Sequence, residues 1–257
     1  MNYYGALPPM ITIPIEPKVG DVSINVHLVL EYAAFFIAYR YYVYLRKHSN
    51  DPITYSNRLS IILGAALGAW VGSRLVGYLE NPYGVSTWYD LLLLLNTKTI
   101  MGGLFGGLLG VELAKRIVGE QHSSGDLFTL PIVVGIFIGR IGCFLSGTTE
   151  FTYGSVTTSW TGMNLGDGQL RHPLALYELV FLIPLFFALR YYYYRNTWKS
   201  GQLFQVFMAV YFSFRFFLEF LKPNSFFWLG LSTIQWLCLI CLVYYRRFFI
   251  HIFKNAH

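Results

Sequence analysis

Three arginines inside apolar runs constrain this chain more than any other feature. Arg140 closes the run from Leu130 to Ile138, Arg74 sits in a Gly-rich apolar segment, and Arg215 stands in the middle of Val206 to Leu221. Runs of this kind reach into a bilayer, where a charge costs ~2.5–3.5 kcal/mol on insertion scales. Such a residue is usually paired or faces a polar cavity, so each arginine marks a candidate functional position. The chain supplies few acids, and that shortage points to an anionic ligand such as a lipid phosphate.

The rest of the composition agrees with a membrane chain. Of 257 residues, 55% are hydrophobic and only 12% are charged, against about 25% charged in soluble domains. Several apolar runs approach the ~20 residues needed to cross a bilayer. The expected fold is an all-α, polytopic membrane protein, with one transmembrane domain over residues 1–257. The net charge of +6 is not a nucleic-acid signal, because most Lys and Arg flank apolar segments. Cys143, Cys238 and Cys241 lie in or beside apolar runs, which supports neither a disulfide framework nor a zinc site. They read as small apolar filler. Neither a metal nor a cofactor is expected. Met1 to Pro17 holds four prolines and no basic stretch, so no cleavable signal peptide is expected.

About seven transmembrane helices are expected. Residues 1–23 form an interfacial segment. Spans follow at about Ile24–Leu45, Leu59–Leu79, Ile100–Ile117, Leu127–Leu145, Pro173–Tyr193, Leu203–Leu221 and Phe227–Tyr245. Trp88 to Leu95 reads as a short interfacial or re-entrant helix, too short to span. Gly64, Gly68, Gly72 and Gly77 allow close helix approach in span two. One set of loops carries most of the Lys and Arg, including Arg46, Lys47, Arg58, Lys115, Arg116, Arg195 and Arg246. The positive-inside bias makes that set cytoplasmic. The N-terminus is then outside, the C-terminus cytoplasmic, and the loop 146–172 external.

In span six, Tyr211, Arg215, Glu219 and Lys222 recur at helical spacing and share one face. Arg215 and Glu219 form either a buried ion pair that fixes packing or part of a polar stripe lining a lipid cavity. With Arg140 on another span, two guanidiniums suit a bidentate phosphate clamp. Met101 to Gly107 holds four glycines. It is either a packing face or a helix start whose N–H groups, Gly102 and Gly103 among them, meet a phosphate. Arg171-His172-Pro173 opens span five, with Tyr177-Glu178 a turn later. His172 is either part of an interfacial cap or an acid–base residue. Glu31, inside span one, is expected to pair with Arg74 or to line the cavity.

These residues resemble a known family, the bacterial prolipoprotein diacylglyceryl transferases. Gly139-Arg140-Ile141-Gly142-x-Phe144-x-x-Gly147, closed by Gly154, is similar to that family's signature. Arg171-His172-Pro173 with Leu176-Tyr177-Glu178 resembles its following motif, and Tyr211-x-x-x-Arg215-x-x-x-Glu219-Phe220 with Lys222-Pro223 its sixth-span motif. Met101-Gly102-Gly103-Leu104 resembles the start of its third span. The likeness covers roughly residues 24–247.

The resemblance implies a transferase of the bacterial cytoplasmic (inner) membrane, active on the periplasmic or exterior side. It moves diacylglyceryl from phosphatidylglycerol to the lipobox cysteine thiol of a prolipoprotein, and glycerol phosphate leaves. Its partners are these two substrates and the membrane lipids, not nucleic acid. Arg140 and Arg215 would bind the headgroup and steady the leaving phosphate, with Glu219 and Tyr211 orienting Arg215. Gly102, Gly103, Gly142, Gly154, Arg171, Tyr177 and Lys222 would complete the substrate site.

The chain departs from the family pattern at four positions. The family's proton-abstracting histidine is Met101 here, two asparagines are Cys143 and Ser146, and a glutamine is Ala175. Methionine is no base. Either another group, such as His172, takes the proton, or the acceptor has changed. A same-fold transferase with a different acceptor and a non-catalytic lipid-binding protein are therefore the alternatives.

Overall fold

The structure is a computed structural model that describes residues 13–15, 17–80, 87–89, 97–195, 198–224 and 228–246. Among these, seven α-helices follow in chain order: α1 (Val26–Lys47), α2 (Tyr55–Glu80), α3 (Ile100–Val118), α4 (Asp126–Ser146), α5 (Leu174–Arg195), α6 (Gln202–Leu218) and α7 (Thr233–Tyr244). Two short antiparallel hairpins join them, β1 (Lys18–Val19) with β2 (Val22–Ser23), and β3 (Met163–Asn164) with β4 (Leu170–Arg171). The expected helix Trp88–Leu95 lies mostly outside the described residues.

Each expected span has a helix at its place, but among the described residues four helices are long and apolar enough to cross a membrane: Tyr55–Glu80, Asp126–Thr149, Leu174–Arg195 and Gln202–Leu221. The other three differ for simple reasons. Helix α1 is tyrosine-rich and carries Glu31 and Arg40, α3 carries Glu112, Lys115 and Arg116, and α7 has 12 residues. Phe35, Phe36, Leu63, Leu67 and Trp70 are exposed along α1 and α2. Apolar exposure on that scale suits a lipid environment.

The chain divides into two compact units. Unit 1 comprises residues 1–41, 131–188 and 221–223, and unit 2 comprises residues 42–130, 189–220 and 224–257.

In unit 2, α2 and α3 meet backbone to backbone. A methyl built on Gly68 would collide with the Gly106 carbonyl, one on Gly72 with the Gly102 carbonyl, and one on Gly110 with the Gly64 carbonyl. Van der Waals contact drives helix association in lipid, and small residues on both sides permit it. The packing reading of the third-span glycines therefore describes Gly102, Gly106 and Gly110. Helix α3 begins at Thr99, whose Oγ1 accepts from the Gly102 N–H at 3.1 Å while its carbonyl accepts from the Gly103 N–H at 3.0 Å. It ends at Gly119, left-handed at φ 70, which only glycine adopts readily.

Arg58, in the first turn of α2, is fully buried. It pairs with Asp51, which also accepts from Arg46 Nε at 3.1 Å, and its Nη1 donates to the Ser124 carbonyl at 3.4 Å. The Asp126 carboxylate accepts from the Gly201 and Phe204 N–H groups at 2.6 and 3.1 Å. That places a negative charge on the otherwise unsatisfied N-terminus of α6.

Candidate active site

The signature residues of unit 1 gather around Arg140. This arginine is 7% exposed near the end of α4, and its Nε stands 2.8 Å from Oε1 of Glu178, a fully buried carboxylate on α5. The contact is an ion pair by distance. The Arg140 Nη1 donates to Cys143 Sγ at 3.8 Å, one helical turn on. On its other side, Cys143 Sγ lies 3.6 Å from Nε2 of His27 at the start of α1. The His27 Nδ1 in turn stands 3.4 Å from Oε1 of Glu150. Gly142 completes the seat: a methyl there would press on Leu30 Cβ and His27 Cα at 3.3 and 3.4 Å.

The loop 146–172 is tied together by the second motif. Arg171 Nε donates to Asp167 Oδ2 at 2.6 Å, its Nη1 donates to the Gly154 carbonyl at 3.4 Å, and its guanidinium lies 4.9 Å from the centre of the Tyr153 ring. The Arg171 hydrogen bond holds the Asp167 carboxyl below its usual range. His172 Nδ1 is 3.0 Å from the Tyr177 hydroxyl, which is 2.6 Å from Thr161 Oγ1. The Gly154 N–H donates to the His172 carbonyl at 2.9 Å, and a methyl on Gly154 would strike His172 Cβ at 2.5 Å. Lys222 sits 4.5 Å from the centre of the Phe151 ring. Arg171, His172, Tyr177 and Gly154 therefore share one hydrogen-bonded corner.

Tyr211, Arg215 and Glu219 lie in unit 2. Arg215 Nη2 donates to Glu219 Oε2 at 3.2 Å across one turn, and both are buried. Asn224 Nδ2 donates to the other carboxylate oxygen at 3.0 Å. Tyr211 is fully buried one turn before Arg215, its ring stacked on Phe207 with centroids 5.7 Å apart. Gln235 of α7 donates to the Phe216 carbonyl at 3.3 Å and forms a capping box with Ser232. The third arginine, Arg74, donates from Nη1 to the Thr97 carbonyl at 2.8 Å. Glu31, its expected partner, belongs to unit 1. Met101 is fully buried at the start of α3. Cys143, Cys238 and Cys241 are free, buried thiols.

Each of the three arginines has a protein partner: Arg140 has Glu178, Arg215 has Glu219, and Arg74 has a carbonyl. Cys143 touches both a guanidinium and an imidazole. His27, Glu150 and Glu178 were not singled out as site residues. Glu178 was discoverable as a carboxylate in an apolar run. No spacing rule joins His27 to Cys143 across 116 positions.

In each unit a carboxylate stands against one edge of a buried guanidinium.

The comparisons with known proteins show the family. The family model described as prolipoprotein diacylglyceryl transferase matches residues 14–251. A phosphatidylglycerol–prolipoprotein diacylglyceryl transferase of Wolbachia pipientis is 30% identical over 245 residues, covering 86% of this chain and 88% of the relative. Its namesake in Bordetella bronchiseptica is 26% identical over 244 residues, covering 87% and 89%. That of Geobacter sulfurreducens is 32% identical over 203 residues, covering 74% and 73%. Matched by the family model over most of its length, the chain belongs to the prolipoprotein diacylglyceryl transferase family.

Proposed function

We propose that this protein moves the diacylglyceryl group of phosphatidylglycerol onto the lipobox cysteine thiol of a prolipoprotein. The acceptor S–H loses its proton, an S–C bond forms at the glyceryl carbon, and the C–O bond to phosphate breaks. Glycerol phosphate leaves with the electron pair. Arg140 and Arg215 are the residues suited to phosphate oxygens, each aligned by its own glutamate. Arg171, Tyr177, Lys222, His172 and the glycines at 102, 103, 142 and 154 are the supporting substrate residues in this reading. The observation that carries it is the survival of both buried Arg–Glu pairs in a chain matched to the family over residues 14–251.

The membrane arrangement belongs to the same proposal. Seven spans, an outer N-terminus, a cytoplasmic C-terminus and an active side facing the periplasm or exterior follow from the loop charges. The host membrane is the bacterial cytoplasmic membrane.

Complementation tests the reaction. The host's own transferase is depleted, this chain is expressed, and prolipoprotein mobility and glycerol phosphate release are followed. Rescue that disappears with Arg140→Ala or Arg215→Ala is the expected result. Loss of one such charge-stabilising group costs on the order of 10²–10³ in kcat. Well-inserted protein that gives no rescue overturns the prolipoprotein reading.

A second reading, a transferase of the same fold with another acceptor, is favoured by Met101, Cys143 and Ala175, all buried where the family carries polar groups. It predicts phospholipid turnover without prolipoprotein modification.

A further inference from the structure

The transfer requires a base, and Met101 offers a thioether that takes no proton at neutral pH. A different group of side chains in unit 1 has the geometry for the task. Glu150, His27 and Cys143 form a chain of contacts: carboxylate to Nδ1 at 3.4 Å, then Nε2 to Sγ at 3.6 Å. A carboxylate on Nδ1 holds that nitrogen's proton in place and turns the Nε2 lone pair toward the sulfur. The Arg140 Nη1, 3.8 Å from Sγ on the other side, favours the thiolate. An acid–imidazole–thiol order with a cation beside the sulfur is the arrangement that activates cysteine nucleophiles. Cys143 also lines a small recess with Phe144, Tyr153, Leu165, Leu174 and Ala175.

We propose that Cys143 and His27 form a thiol–imidazole couple that accepts the proton of the acceptor's thiol, with Glu150 as the positioning residue for the imidazole. The proposal rests on the transferase reading above. The proton of Cys143 first moves to His27 Nε2, giving a thiolate and an imidazolium. The acceptor S–H then passes its proton to the Cys143 sulfur, an exchange between two groups of the same chemical type. The acceptor thiolate attacks the glyceryl carbon, and the glycerol phosphate oxygen leaves with the bond's electron pair. The imidazolium returns its proton to that phosphate or to solvent. Thioether formation occurs only on the acceptor, so Cys143 ends each turnover as a free thiol.

The couple's pH behaviour is set by few charged groups. Glu150 faces the imidazole from the external loop, Arg140 faces the sulfur from α4, and Glu178 of α5 faces Arg140. Glu31 lies one turn beyond His27 on α1, and His172 lies just before α5.

Two readouts on the full-length protein test this. The first is iodoacetamide alkylation of Cys143 in phosphatidylcholine nanodiscs across pH 5–9 (an assay range), with the adduct located by peptide mass. It needs neither substrate nor turnover. Wild-type protein is expected to alkylate well below the pH of an ordinary thiol, ~8.5. His27→Gln is expected to move the profile up to that value, and Glu150→Gln to move it part of the way. An ordinary thiol profile in the wild type, or no labelling of Cys143 at pH 9, overturns the couple without any variant having to fold.

The second readout is glycerol phosphate release with a lipobox peptide. His27→Gln and Cys143→Ala are expected to lose on the order of 10²-fold at pH 7, the range for general bases. The loss should shrink at pH 9, where the acceptor thiol ionises unaided. Rates within twofold of wild type at pH 7 overturn the role. A wild-type protein silent on the peptide overturns the transferase reading, and this role with it. The alkylation profile then still decides whether the couple exists.

Discussion

Arg140 Nε stands 2.8 Å from Glu178 Oε1, and both side chains are buried. Each charge lowers the cost of burying the other. Removing one partner of a buried pair leaves an uncompensated charge and costs about 3–5 kcal/mol. Glu178→Gln keeps the shape and removes the charge, so it should destabilise the protein by roughly that amount. An unfolding titration in mixed micelles reads the difference. A shift indistinguishable from wild type would mean that another group balances Arg140.

Arg215 should depend on Glu219 more than on the rest of its surroundings. Asn224 only donates to the far oxygen of that carboxylate, at 3.0 Å. Losing a hydrogen bond to a charged group costs about 1.5–3 kcal/mol, less than stranding the guanidinium. Transfer rates for Glu219→Gln should therefore fall well below those for Asn224→Ala. Parallel assays of glycerol phosphate release check the order, and equal losses would contradict it.

The α2–α3 seam should resist even one methyl. Gly106→Ala meets the Gly68 carbonyl, and overpacking of that kind costs about 1–3 kcal/mol. Gly103→Ala has its nearest neighbours, the Ala69 carbonyl and Ser73 Cβ, at 3.8 Å and should be neutral or slightly stabilising. The two variants sit one turn apart on the same helix, so their difference isolates the seam. Unfolding titrations of both proteins, run together, provide the comparison.

At the end of α3, Glu120 accepts from Asn57 Nδ2 at 3.0 Å and from the His122 N–H at 3.0 Å, with the His122 ring also on it. The Asn57 hydrogen bond leads the contacts that bring its pKa from 4.5 down to about 2. The folded-state value is depressed, so this group stabilises the protein fully above 4.5, and that contribution fades as the pH falls toward about 2. Unfolding midpoints of wild type and Glu120→Gln should differ most above that window and converge at its acid end. Midpoints that diverge on acidification would reverse the sign and refute the account.

Much of the architecture was written in one dimension. Apolar runs bounded by basic residues placed all seven helices close to where they stand, and an arginine inside such a run marked Arg140 and Arg215, because burial of a charge carries a cost whatever the fold. Arg215 and Glu219 were legible as a pair because one helical turn joins them. Long-range partners were not legible. Glu178 meets Arg140 from another helix, Gly68 meets Gly106, and His27 meets Cys143 across 116 positions. The sequence by itself determined where the costly groups lie. Only the tertiary structure decided which side chains offset them, because a contact between distant segments depends on how helices pack and not on any spacing along the chain.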